Sequence, residues 1–220
     1  MTAVTAVEDP HERALAELRA YRDDGPLAGL LGRLLGPSVP VPAPVLVIAG
    51  WLVPAGVLTL GGHDVSPAAL GAGMAAVVLA AGIAAGRPSS RRGDWSLPPL
   101  MRLVEYGLIL WLCIVAASGA VAACFALLAA LAFRHYDTVY RLRSQRRFPP
   151  AWLRLLGGGW EGRLLFAYAF LVAGGLKTAL FAAAGVLGAV SVAEAAVAWG
   201  RWSAEQQPDT QAPGREDLAE

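Results

Sequence analysis

Long uncharged apolar runs alternate along this chain with short segments that carry nearly all of its basic residues, and each run has the length of a membrane crossing. Val41 to Leu60 contains no charged residue and supplies about the twenty residues that a ~30 Å hydrocarbon layer requires. Gly61-Gly62-His63-Asp64 follows as a turn free of Lys and Arg, and Pro67 to Gly86 repeats the apolar run. Ala72, Ala76, Ala80 and Ala84 recur there at every fourth residue, a small-residue stripe that lets another helix approach closely where lipid gives helices no hydrophobic reason to associate. Two later runs are too long for single crossings. Tyr106 to Phe133 divides at Ser118-Gly119 into spans of roughly 97–117 and 120–140. Residues 162–200 would form one helix of ~55 Å at ~1.5 Å per residue, and Gly174-Gly175 with Lys177 supplies the break.

Charge decides between one crossing and two. Of the eighteen Lys and Arg, all but Lys177 fall in four stretches, bounded by Arg13 and Arg33, Arg87 and Arg102, Arg134 and Arg163, and Arg201 and Arg215. Cytoplasmic loops retain Lys and Arg, so these stretches belong on one side, with an even number of crossings between them. The pattern predicts an all-α integral membrane bundle of six transmembrane helices in a bacterial cytoplasmic membrane, both termini cytoplasmic. Pro54 should kink the first span.

Ahead of the bundle, Asp9-Pro10-His11-Glu12 reads as a helix start, with Asp9 as N-cap, and the helix should end near Asp23. Gly25-Pro26 breaks it. Leu27, Leu30, Leu31, Leu34 and Leu35 then form an amphipathic helix, which could lie flat on the membrane surface or pack on the cytoplasmic end of the bundle. Four prolines within residues 36–44 make an extended connector. Three parts result: a cytoplasmic and interfacial helical segment at 1–40, the membrane domain at 41–203, and a disordered polar tail at 204–220.

Composition narrows the class further. At 56% hydrophobic and 16% charged residues, 220 residues fit one membrane bundle, and the net charge of +1 conceals strongly basic loops. Anionic membrane lipids are the expected partners, and no nucleic acid is. The first forty residues lack the order of a cleavable signal peptide, so the first apolar run reads as a retained anchor. Cys113 and Cys124 are equidistant from the Ser118-Gly119 turn and should lie at similar depth, either bridged or as two inert apolar residues.

The ionisable groups at the cytoplasmic edge are the candidate chemistry, because charge at that depth is costly unless paired. Arg102, Glu105 and Tyr106 share a helical face, as do Arg134, Asp137 and Arg141, while Glu161 and Arg163 open the fifth span after Gly157-Gly158-Gly159. Converged, they would make one cluster. On one reading Arg102, Arg134, Arg141 and Arg163 hold a lipid phosphate, while Glu105, Asp137 and Glu161 orient them or bind a divalent metal, with magnesium the expected cofactor of an enzyme of this kind. On the other, the carboxylates satisfy the arginines at helix ends. His135 is either a proton carrier or a hydrogen-bonded helix-end residue, and Glu194 should snorkel or pair near the cytoplasmic edge. No catalytic residue is assigned, and no enzyme motif is satisfied. The glycine run has neither a P-loop lysine nor a preceding strand, and the aspartate patterns of CDP-alcohol phosphotransferases and aromatic prenyltransferases and the basic motif of phosphatidic-acid phosphatases do not occur.

Arg92-Gly93-Asp94-Trp95 with Pro98-Pro99, Glu105-Tyr106-Gly107, the stretch from Arg134-His135-Tyr136-Asp137 to Arg143, and Gly158-Gly159-Trp160-Glu161-Gly162-Arg163 resemble an uncharacterised actinobacterial membrane domain over roughly residues 85–200. In relatives that domain looks to be fused behind a sugar-nucleotidyltransferase-like module and a CDP-alcohol phosphatidyltransferase module. The resemblance implies work near phospholipid headgroup synthesis, with a CDP-alcohol phosphatidyltransferase as a partner. The expected function is an accessory or scaffold module for lipid-headgroup biosynthesis at the cytoplasmic face. The alternative is a membrane transferase acting on a phosphorylated lipid or polyprenyl phosphate.

Overall fold

The computed structural model describes residues 10–61, 65–87 and 94–206, and every regular element among them is helical. The expected Asp9 cap, the Gly62-His63-Asp64 turn, Arg91, Arg92 and Gly93, and the polar tail from residue 207 lie outside the described residues. In chain order the helices are α1 Pro10–Arg22, α2 Pro26–Leu35, α3 Ala43–Gly61, α4 Pro67–Ala85, α5 Leu97–Ala116, α6 Val121–Tyr140, α7 Ala151–Leu156, α8 Gly159–Val172 and α9 Leu176–Gln206. A π-helical turn over Arg141–Gln145 carries the end of α6 toward α7.

Local chemistry sets the boundaries. Pro26 and Pro67 occupy the first turns of α2 and α4, where a missing N–H costs nothing, and Ser66 Oγ accepts from Ala69 N at 3.2 Å to cap α4. The long apolar run parts between α5 and α6 where Ala117 leaves helical geometry. α8 and α9 part at Gly174, whose φ of +72° a side chain would strain. Both breaks fall at the positions expected from the sequence, Ser118-Gly119 and Gly174-Gly175, to within a residue.

Five helices, α3, α4, α5, α9 and α6 with its π turn, are long and apolar enough to cross a membrane, and they mark a multi-pass membrane protein. α8 is shorter, at 14 residues or ~21 Å. It nonetheless runs from one end of the bundle to the other: Trp160 N donates to Asp23 O at 3.2 Å, and Tyr168 Oη donates to Pro67 O at 2.8 Å, where α4 begins.

α5 is central, burying Met101, Val104, Leu108, Ile109 and Leu112 along one stripe, while α3 packs on α4 and α6 on α9. A Cβ on Gly50 of α3 would meet Ala80 and the Ala76 carbonyl, so the alanine stripe of α4 is in part its packing face; Ala84 is buried and Ala72 is exposed. The outward residues are apolar too, among them Leu52, Leu60, Leu79, Phe125, Phe181 and Val192, as a lipid-facing surface requires. α2 lies across the end of α4, with Leu31 over Gly82 and Gly32 against Gly86, while Leu30 and Leu34 on its other face are exposed. The helix therefore packs on the bundle and still presents an apolar face outward.

Candidate functional site

Asp23 organises the charged end of the bundle. It follows the last turn of α1 with φ at +52°, a left-handed conformation that Asp tolerates, and this turn sends its carboxylate inward to 4% exposure. Arg134 of α6 donates to Oδ1 at 3.1 Å, and Arg163 of α8 lies 3.0 Å from Oδ2. The other edge of Arg163 pairs with Glu105 of α5, which is fully buried, and Glu105 also receives Arg102 at 2.5 Å. Arg102 turns back to the carbonyls of Tyr21 and Arg22, at 3.1 and 2.6 Å. The circuit thus ties α1 to α5, α6 and α8 through two carboxylates and three guanidinium groups.

A histidine closes its side. His135 Nε2 lies 3.5 Å from Asp23 Oδ2 and its Nδ1 lies 2.6 Å from the Tyr106 hydroxyl. An ionised carboxylate only accepts, so a neutral imidazole facing it carries its proton on Nε2, and Nδ1 accepts from the tyrosine. Burial alone would raise the Asp23 carboxyl; the hydrogen bond from His135 and the charges of Arg163, Arg134 and Arg102 outweigh it and hold the group well below the usual carboxylate range.

Glu161 does something different from Glu105. Its Oε2 accepts from Gly25 N and its Oε1 from Ala28 N, both at 3.0 Å, so a side chain of α8 caps the N-terminus of α2. Gly25 and Gly159 make this possible, since a Cβ on Gly25 would run into the Gly158 carbonyl and the Glu161 carboxylate, and one on Gly159 into Gly25. Beside this contact Trp160 Nε1 donates to Asp24 at 3.0 Å, and Asp24 pairs with the buried Arg22 at 3.1 Å.

Of the residues singled out in the sequence, Arg102, Glu105, Arg134 and Arg163 come together, and Glu161 is adjacent through the α1–α2 turn. Asp137 and Arg141 stand in a second cluster with Glu194 of α9: Arg141 pairs with Asp137 at 2.7 Å and donates to both Glu194 oxygens, at 2.8 and 2.5 Å. Each of the three carboxylates proposed as a metal site has different partners, and no group of three potential ligands that could hold a metal occurs among the described residues. Cys113 and Cys124 are buried and unbridged. Asp23 is the residue that sequence reasoning missed. Its partner Arg134 is 111 positions away, and the only local signal is a pair of aspartates at a helix end before Gly-Pro.

Each arginine of the arrangement has a carboxylate partner within the chain: Arg22 has Asp24, Arg134 has Asp23, Arg102 has Glu105, and Arg163 has both Asp23 and Glu105. A bound phosphate would have to compete with those carboxylates.

Comparison with known proteins adds a family and no activity. A model described as a family of unknown function (DUF5941) matches residues 12–215. No curated protein and no solved structure matches the chain.

Proposed function

The chain belongs to the DUF5941 family, and from its internally paired ion network we propose that it is a non-catalytic accessory module of the bacterial cytoplasmic membrane, serving phospholipid or lipid-headgroup biosynthesis at the cytoplasmic face. The carrying observation is the pairing of every arginine in the Asp23 network with a carboxylate of the chain itself. Acid–base or metal chemistry needs a carboxylate free to exchange a proton or to coordinate, and here Asp23, Glu105 and Glu161 are occupied in holding helices together.

On this reading α8 is a sixth, short crossing, because it links the end that holds Asp23 to the end that holds Pro67. Both termini are then cytoplasmic and the basic loops share one side. The likeness of the Arg134–Arg143 and Gly158–Arg163 stretches to membrane domains fused to CDP-alcohol phosphatidyltransferase modules supports the link to headgroup synthesis, and such an enzyme is the partner we propose.

Purified protein supplied with CDP-alcohol or polyprenyl-phosphate substrates and magnesium should give no turnover, while affinity capture from solubilised native membranes should retain a phosphatidyltransferase. Turnover that disappears in Asp137→Asn would replace this reading with the transferase one.

A further inference from the structure

A groove of about 640 Å³ opens between the π turn and α7 on one side and α9 on the other, apart from the Asp23 network. Val190, Ala193, Glu194, Val197, Ala198 and Arg201 line it from α9, at the spacing of a single helical face. They also form a gradient. Val190 and Ala193 lie on the part of α9 nearer the apolar run, and Arg201 lies about 16 Å further along, at ~1.5 Å per residue.

The facing wall also combines apolar and polar groups. Phe148 and Trp152 are 43% and 52% exposed and offer apolar surface, while Arg147 and Gln145 supply polar groups. Arg147 pairs with Glu205 at 2.5 Å, but both groups are about half exposed and such a pair contributes little. Arg201 has no carboxylate partner among the described residues. Gln145 Nε2 is buried with no hydrogen-bond partner there, a donor awaiting an acceptor oxygen.

We propose that this groove binds one anionic phospholipid, its phosphate held by Arg147, Arg201 and the Gln145 amide and an acyl chain laid along Val190, Ala193 and Val197. Guanidinium forks match phosphate oxygens, and an apolar wall continuous with the membrane-crossing part of α9 fits a lipid rather than a soluble anion. The proposal rests on the accessory reading only in assigning this end of the bundle to the cytoplasmic leaflet. It moves lipid-phosphate recognition away from Arg102, Arg134 and Arg163, which already pair with Asp23 and Glu105.

Native mass spectrometry of the full chain in neutral detergent, titrated with phosphatidylglycerol, tests it without any assay of turnover. One lipid should bind, more tightly than phosphatidylcholine, and inorganic phosphate in excess should not displace it. Replacing both Arg147 and Arg201 with Gln should weaken binding about tenfold or more, as losing charge-assisted contacts requires. Val197→Trp, which fills the groove and leaves every charge in place, should weaken it comparably. The pair Arg19→Gln and Arg33→Gln, exposed arginines outside the groove, should change it little. Equal weakening by the Arg19 and Arg33 pair, no effect of Val197→Trp, or displacement by free phosphate would each overturn the proposal.

Discussion

At the scale of single residues, Asp23 is where the cost of burying charge is concentrated. Removing one partner of a buried ion network leaves the others uncompensated, which destabilises by about 3–5 kcal/mol. Asp23→Asn leaves Arg134 and Arg163 short of a counter-charge and should lower the thermal unfolding midpoint of the purified protein far more than Asp24→Asn, whose carboxylate is partly exposed. The same residue sets a pH dependence. Its carboxyl is depressed in the folded protein, so its stabilisation is fully present above the ordinary value of 3.8 and is lost as pH falls through that value toward the folded one. Thermal midpoints should therefore fall as pH drops below about 4, and fall less there in Asp23→Asn. An Asp23→Asn curve parallel to wild type over the acid range would contradict this assignment.

At the scale of elements, α2 is held at two points that contain no side chain of its own. Glu161 of α8 supplies its N-terminal cap, and Gly32 lets its backbone meet Gly86 at the end of α4. Glu161→Ala should cost about 1–2 kcal/mol and accelerate hydrogen exchange at the Gly25 and Ala28 amides, whereas Glu161→Gln, which keeps one acceptor oxygen, should restore part of the protection. Gly32→Val should cost about 1–3 kcal/mol by overpacking and raise exchange along α2 while leaving α6 and α9 unchanged. These contacts also explain what the sequence could disclose. The start of α1 at Pro10, the break at Gly25-Pro26 and the division of both long apolar runs follow from local residue types and from where charge falls, so they can be read from one chain. The sharing of a helical face by Asp137 and Arg141 is likewise a matter of spacing, and they pair. Arg134, three residues before Asp137 on the same face, turns instead to Asp23, because a helical face limits which neighbours a long side chain can reach without choosing among them. Glu161 was expected among arginines and faces backbone N–H groups instead, a pairing fixed by the close approach of Gly25 and Gly159 that no local pattern encodes.

At the scale of the molecule, everything depends on whether α8 carries the chain across the membrane. Its 14 residues fall short of a ~30 Å layer, yet its ends bond to opposite ends of the bundle. If α8 crosses, Lys177 at the start of α9 lies on the opposite side from the π turn at Arg141–Gln145, and α9 returns Arg201 to the side of the other arginines. If it does not, Lys177 and Gln145 share a side, and α9 would have to carry Arg201 away from the basic loops, against both the positive-inside rule and the pairing of Glu194 and Glu205 of α9 with Arg141 and Arg147. Single cysteines separate the two cases. Cys113 and Cys124 are fully buried and can be replaced with Ala to give a silent background. In that background Lys177→Cys should react with a membrane-impermeant maleimide added to intact cells or spheroplasts, and Gln145→Cys should react only after the membrane is opened. Ser118→Cys, exposed at the α5–α6 turn, serves as the marker for the end of the bundle away from the π turn. Labelling of Lys177→Cys that follows Gln145→Cys rather than Ser118→Cys would leave five crossings and place α8 as a helix buried within the bundle from one side.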